Sequence, residues 1–269
     1  MRQQLRRTWL LGGLVAGVLA GSPTVAAPFS GLVVFGDSLS DSGNAGRFTN
    51  GPVWVERMAE TMGLDLQPAR AGGTNYAIGG ARTHGGVTDV LSQTAMFLAQ
   101  RNADPDALYV VFAGANDLLA SACLTGENGV AREAAAALGT AISRLAQAGA
   151  VQFLVPNLPD IGQAPIVREQ GARCAGNARV LTQMYNAALD EVLTATERSN
   201  QIRVVRLDIF ALADEVFGNP QRAGFRNVTT PCGSEGCEEF LFWDRLHPTT
   251  TAHSLLARQA LGVLGIGSP

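Results

Sequence analysis

Runs of mostly apolar residues recur along this chain, each closed by a residue that interrupts a strand. Leu32 to Phe35 ends at Gly36, Leu108 to Ala113 at Gly114, Val151 to Val155 at Pro156, and Ile202 to Leu207 at Asp208. Such runs do not alternate apolar with polar, as expected of strands covered on both faces. Asn75 to Ile78 is a shorter fifth candidate. Between the runs the spacing becomes helical. Leu138, Ile142 and Leu145 recur within Val130 to Ala148, and Leu181, Met184 and Ala188 within Asn177 to Glu197. A last helix is expected from Thr249 to Leu264, with Leu256, Ala260 and Val263 on one face. Strands alternating with helices predict an α/β fold with a parallel sheet of about five strands and helices on both sides. Functional groups in such sheets gather at the carboxyl ends of the strands.

Composition adds bounds. The chain has 269 residues, 46% of them hydrophobic and only 16% charged, which suits one α/β domain with a sizeable core. A net charge of −3, with no Lys and Arg cluster in the body of the chain, argues against a nucleic-acid partner. The N-terminus reads as a signal peptide over residues 1–26. Arg2, Arg6 and Arg7 are followed by the apolar stretch Trp9 to Ala20 and by small residues. Pro28 disfavours cleavage after Ala27, so the bond after Ala26 is expected to break, leaving a single domain over 27–269. Export to a periplasm or to the medium follows, and four cysteines in an exported protein predict two disulfides. Three connectivities exist. The short spacing of Cys232 and Cys237 favours that pair, which leaves Cys123 with Cys174.

The candidate chemistry lies at strand ends. Ser38 follows the first run directly, and Gly36 before it permits a sharp turn. A serine hydroxyl needs a base to become a nucleophile. Ser38 is expected to open the next helix, with Ser40 and Ser42 as nearby competitors. Of three histidines, His247 is the candidate base. It lies in a loop just before Pro248, and Asp244, three residues upstream, can orient its imidazole. His253 falls inside the last helix as a packing or surface residue. His84 sits in a Gly-rich loop and could line a pocket. Asn116, after the Leu108 run, is a candidate oxyanion donor. Backbone N–H groups of Ser38 and of the Gly79-Gly80 turn are the others. There is no Gly-x-Ser-x-Gly elbow, metal-ligand spacing, P-loop or dinucleotide fingerprint. No metal or cofactor is expected.

These segments together resemble the GDSL, or SGNH, family of serine esterases and lipases. Phe35-Gly36-Asp37-Ser38-Leu39-Ser40-Asp41-Ser42-Gly43-Asn44 is similar to its first block, and Asn75-Tyr76-Ala77-Ile78-Gly79-Gly80-Ala81 to its second. Gly114-Ala115-Asn116-Asp117 is similar to its third block, and Asp244-Arg245-Leu246-His247-Pro248 to its fifth. The resemblance implies a three-layer α/β/α flavodoxin-like fold, no metal, and a triad of Ser38, Asp244 and His247. It implies an oxyanion hole of Ser38, Gly80 and Asn116. Ala81 stands where many members have Asp. That departure, the Asp41-Ser42-Gly43-Asn44 extension and Asn50-Gly51-Pro52-Val53-Trp54 resemble the subset with secreted bacterial lipases, phospholipases, acyltransferases and plant lipases. The expectation is an exported serine ester hydrolase acting on short-chain or lipid acyl esters through an acyl-serine intermediate, with transient contact to a membrane surface allowed. Alternatives are lipid acyl transfer, carbohydrate deacetylation, or a non-catalytic binding protein. The sequence sets no oligomeric state.

Overall fold

Four of the apolar runs pair side by side in sequence order. They are β1 (Leu32–Gly36), β2 (Leu108–Phe112), β3 (Gln152–Pro156) and β4 (Arg203–Leu207), all parallel. The structure, a computed structural model, describes residues 28–124, 128–233 and 236–267. The expected signal peptide lies outside them. Every residue of β1 and β2 is buried, as continuous apolar runs require. β4 is the edge, so its Arg206 reaches outward to Asp190 and Glu197.

The sheet has four strands, one fewer than expected. The fifth candidate runs along the free side of β1 but makes isolated bridges in place of a ladder, from Asn75 to Val34 and to Pro68. Val34 N–H donates to Thr74 O at 3.0 Å, Tyr76 N–H to Val34 O at 2.7 Å, and Ile78 N–H to Gly36 O at 3.1 Å. Elsewhere its backbone groups are diverted. The Asn44 amide donates to the carbonyls of Asn75 and Ala77, and Asn75 Oδ1 takes the Ala77 N–H. Counting this segment second in sequence, the order across the sheet is 2-1-3-4-5, the flavodoxin-like arrangement. The chain reverses its direction of travel at β1, so a crevice opens between the carboxyl ends of β1 and β2.

Eight helices occupy the described residues: α1 (Trp54–Met62), α2 (Val90–Gln100), α3 (Ala115–Leu119), α4 (Asn128–Gln147), α5 (Pro165–Arg168), α6 (Ala172–Asn200), α7 (Ile209–Gly218) and α8 (Thr250–Val263). α2, α4 and α6 pack against one another on one side, α1 and α8 on the other. Aromatic side chains seal both interfaces. Phe97 of α2 meets Phe35, Tyr76 and Tyr109 edge-on, while Trp54 of α1 meets Phe112. Truncating such a buried ring to Ala typically costs about 3–5 kcal/mol. α8 turns slightly differently from its expected face. His253, Ala257, Ala260 and Leu261 are buried, while Val263 is 43% exposed in its last turn.

Two further strands, β5 (Asn227–Pro231) and β6 (Phe240–Phe242), were not anticipated, being short and separated by a cysteine-bearing loop. Both favoured disulfides are formed, Cys123–Cys174 and Cys232–Cys237. Among the described residues no helix is long and apolar enough to cross a membrane.

Candidate active site

β1 delivers its last residues to the crevice at very close quarters with β2. A Cβ on Gly36 would lie 2.3 Å from Phe112 O, so glycine is the residue that fits. The Gln93 amide of α2 brackets Gly36, accepting its N–H at 2.9 Å and donating to its carbonyl at 2.8 Å. The chain then makes one tight turn, with Asp41 N–H on Asp37 O and Leu39 N–H on the Asp37 carboxylate. Ser38 sits in that turn. It does not open a helix as expected, because α1 begins only at Trp54. The competing serines are committed elsewhere. Ser40 Oγ accepts from Trp54 Nε1, and Ser42 Oγ accepts from Asn75 Nδ2.

The loop between β6 and α8 faces this turn. Asp244 Oδ1 accepts the N–H groups of Leu246 and His247 at 2.7 and 2.6 Å, and Oδ2 meets His247 Nδ1 at 2.7 Å. Its partial burial works to raise its pKa, but these hydrogen bonds and the imidazole outweigh that and hold the carboxyl below its ordinary value. His247 Nε2 stands 3.0 Å from Ser38 Oγ. With Nδ1–H directed at Asp244, Nε2 is free to accept the serine proton. The three residues are thus in the arrangement of a Ser-His-Asp relay.

Asn116 enters at the start of α3, after Gly114, where a φ of +117° and the 2.7 Å that would separate an added Cβ from the Tyr185 ring both favour glycine. One Asn116 Nδ2 hydrogen goes to Ala81 O at 2.9 Å, leaving the other for the crevice. Gly80 adopts a φ of +79° and is held beside Ala81. Among the described residues the N–H groups of Ser38 and Gly80 have no acceptor. Ser38, Asn116 and His247 line the same cleft; Gly80 is not among its lining residues, and its neighbour Ala81 accepts from Asn116.

That cleft is chiefly apolar. Beyond Ser38 and His247 it runs between α7 and α8, lined by Ile209, Leu212, Val216, Phe217, Leu255 and Leu256 among others. It holds about 170 Å³ of open space; an apolar cavity of about 150 Å³ is enough to take up benzene. Three buried ionisable groups also line it, Asp37, Asp160 and His253. Asp37, 1% exposed, is pushed up to about 7, chiefly by burial. His253 is buried rather than at the surface, and desolvation lowers it to about 3, so it is neutral. His253 Nδ1 accepts from Trp54 N–H at 3.4 Å, and Nε2 has no partner among the described residues. His84, by contrast, pairs with Thr83 away from the cleft.

Sequence reasoning missed Phe48. Its ring packs on His247 at 5.2 Å between centroids, and a Cβ on Gly79 would lie 2.1 Å from it. One aromatic therefore covers both the imidazole and the Gly79-Gly80 turn. The cleft walls of α7 were missed as well, because no local pattern marks which apolar side chains stay unpacked.

Residues 32–260 match the family model for the GDSL-like lipase/acylhydrolase. Lipase 1 of Photorhabdus luminescens is 25% identical over 97% of this chain, which spans 54% of that lipase. The phosphatidylcholine-sterol acyltransferase of Aeromonas hydrophila is 26% identical over 92% of this chain and 93% of its own length. Among solved structures, a lipolytic G-D-S-L protein from Veillonella parvula superimposes with a TM-score of 0.53 at 17% identity, over 87% of this chain and 97% of the other. The acetylxylan esterase Axe2 of Geobacillus stearothermophilus gives 0.56 at 18%, over 90% and 97%. The sheet order, the position of Ser38 after β1 and the family match over nearly the whole described chain agree: the chain belongs to the GDSL-like lipase/acylhydrolase family, a family of carboxylic-ester hydrolases.

Proposed function

We propose that this protein is an exported serine hydrolase of acyl esters whose acyl group is lipid-like rather than acetyl. The observation that carries this reading is the apolar cleft opening directly at Ser38 and His247. In the first half-reaction Ser38 Oγ attacks the ester carbonyl carbon and its proton passes to His247 Nε2. The negative oxygen of the tetrahedral intermediate is met by the N–H groups of Ser38 and Gly80 and the Asn116 amide. Each such donor is typically worth about 3–4 kcal/mol in the transition state. Collapse expels the alcohol, which takes the proton from His247. A water then gives a proton to His247 and adds to the acyl-serine, and collapse releases the acid while His247 returns that proton to Ser38 Oγ. Asp244 stays ionised throughout and balances the imidazolium.

Acyl transfer is the second reading. It is favoured by the similarity to an acyltransferase over most of both chains, and it needs only an alcohol that outcompetes water at the acyl-serine. Export is supported by the two disulfides and by the basic and apolar N-terminal residues.

Hydrolysis of p-nitrophenyl esters from acetate to palmitate tests the proposal, using protein lacking residues 1–26 and Ser38→Ala beside it. The expected result is a specificity constant rising with chain length beyond acetate and no turnover by Ser38→Ala. A preference for acetate would overturn the lipid-like acyl group. Turnover by pure Ser38→Ala would overturn the serine mechanism.

A further inference from the structure

The segment from Gly79 to Thr83 carries the Gly80 donor yet belongs to no helix or strand. Three backbone bonds touch it, from Ala81 N–H to Ile78 O, Val90 N–H to Arg82 O and Leu91 N–H to Thr83 O, and buried side chains fix its two ends. At one end Asp41, with no solvent exposure, accepts Gly79 N–H on Oδ2 at 2.8 Å. The same carboxylate accepts from Gly43, Asn44 and Ala45, which belong to the loop following Ser38. At the other end Asp117, 4% exposed, accepts Thr83 N–H on Oδ2 at 3.0 Å and the Thr83 hydroxyl on Oδ1 at 2.9 Å. Between these anchors the Ala81 carbonyl accepts from Asn116.

Asp117 directly follows Asn116 in the first turn of α3. Two successive residues of one short helix therefore grip the segment at Ala81 and at Thr83, immediately after Gly80. Burying a carboxylate is costly unless its oxygens are fully hydrogen-bonded. Here both oxygens are satisfied by one residue, and from two directions, which fixes position as well as orientation. The Thr83 hydroxyl has a single proton and gives it to Asp117. His84 Nδ1, 3.0 Å from that hydroxyl, is accordingly the donor in their contact. The hydroxyl is thus held on both sides.

We propose that Asp117, acting through Thr83, is a positioning residue that sets the Gly80 N–H and the Asn116 amide in one fixed arrangement for the oxyanion. The proposal rests on the reading of those two groups as oxyanion donors. Donors of this kind work because they are already aligned when charge develops, and a misplacement of about 1 Å can cost about 100-fold in rate.

The test compares Thr83→Val, Thr83→Ser and Asp117→Asn with wild type on one p-nitrophenyl ester, with active sites counted by fluorophosphonate titration. Thr83→Val keeps the backbone bond to Asp117 and removes only the hydroxyl. Its kcat is expected to fall about 10- to 100-fold with KM unchanged. Thr83→Ser restores the hydroxyl and is expected to recover kcat to within about threefold of wild type. Affinity for an alkylboronic acid, which becomes tetrahedral and anionic on a serine, should fall with kcat, while affinity for the product alcohol should not. Asp117→Asn should lose at least as much as Thr83→Val, and if it does not fold, the Thr83 pair decides. Wild-type kcat per titrated site in Thr83→Val, or a rise in KM in place of the fall in kcat, would overturn the proposal. Ser38→Ala in the same assay separates the two claims. If it is inactive while Thr83→Val is unimpaired, only the positioning role fails. If it turns over, the reading of the site fails.

Discussion

Ser38 Oγ and His247 Nε2 lie 3.0 Å apart although 209 positions separate them in the chain. The contact depends on two loops that leave the core in opposite directions of sequence. One is the turn after β1. The other is the short segment between β6 and α8, where Trp243 N–H bonds to His247 O and the Asp244 carboxylate ties the backbone of Leu246 and His247. In Asp244→Asn the amide oxygen can keep those backbone bonds, so the fold survives. The bond to His247 Nδ1 then loses its charge and favours the wrong tautomer. We expect kcat to fall by on the order of 10³- to 10⁴-fold with little change in unfolding temperature, measured by ester hydrolysis and calorimetry.

Asp37 and His253 tilt stability with pH in opposite directions. Asp37 holds its proton in the fold up to about 7 but releases it near 3.8 when unfolded. The folded state is therefore penalised progressively as pH rises through that window. His253 stays neutral in the fold down to about 3 but takes a proton near 6.5 when unfolded. Its contribution is present above 6.5 and lost as pH falls. Between about pH 4 and 6.5 the two effects oppose each other. Removing Asp37's titration, as in Asp37→Asn, should make unfolding free energy rise more steeply with pH, by up to about 1.4 kcal/mol per unit. His253→Gln should tilt it the other way by a similar amount. Denaturant unfolding at half-unit pH steps checks this, and parallel curves for all three proteins would contradict it.

Narrowing the cleft should select against long chains. Ala213 lines it from α7 and is partly exposed to it. In Ala213→Phe the larger ring occupies space assigned to the acyl chain. The specificity constant for a dodecanoate ester is expected to fall at least about tenfold, since one methylene in an apolar pocket is worth about 1–3 kcal/mol. That for acetate should not change. Equal loss on both esters would place the chain elsewhere.

The disulfide Cys123–Cys174 closes a span of 51 positions and joins the turn after α3 to α6. On a chain-entropy basis a loop of this length contributes about 4 kcal/mol. The double variant Cys123→Ser, Cys174→Ser should lose stability of that order in denaturant unfolding. A loss below about 1 kcal/mol would mean that the crosslink constrains little.

The strands, the main helices and the meeting of Ser38, Asp244 and His247 at one crevice were legible in the sequence for one physical reason. Buried parallel strands must be runs such as Leu32 to Phe35, and the residues that follow them mark the crevice. What was not legible depends on side chains meeting across the fold. Asn75 looks like the start of a strand, yet its amide serves Ser40 and Ser42 and its carbonyl serves Asn44, so the ladder stops at a bridge. Ser38 looked like a helix start because Gly36 announces a turn. Only the structure places α1 sixteen residues later, counted from Ser38 to Trp54. Phe48 has no local signature at all, since its partners His247 and Gly79 come from distant segments. The same holds for the Asp117–Thr83 contact.

In the proposed mechanism the acyl group passes through Ser38. The most direct measurement is mass spectrometry of protein quenched in acid during turnover of a p-nitrophenyl ester, followed by peptide mapping. An acyl mass is expected on the peptide carrying Ser38, formed at the rate of the p-nitrophenol burst and absent from Ser38→Ala. Steady hydrolysis with no acyl mass on that peptide, undiminished in Ser38→Ala, would contradict it.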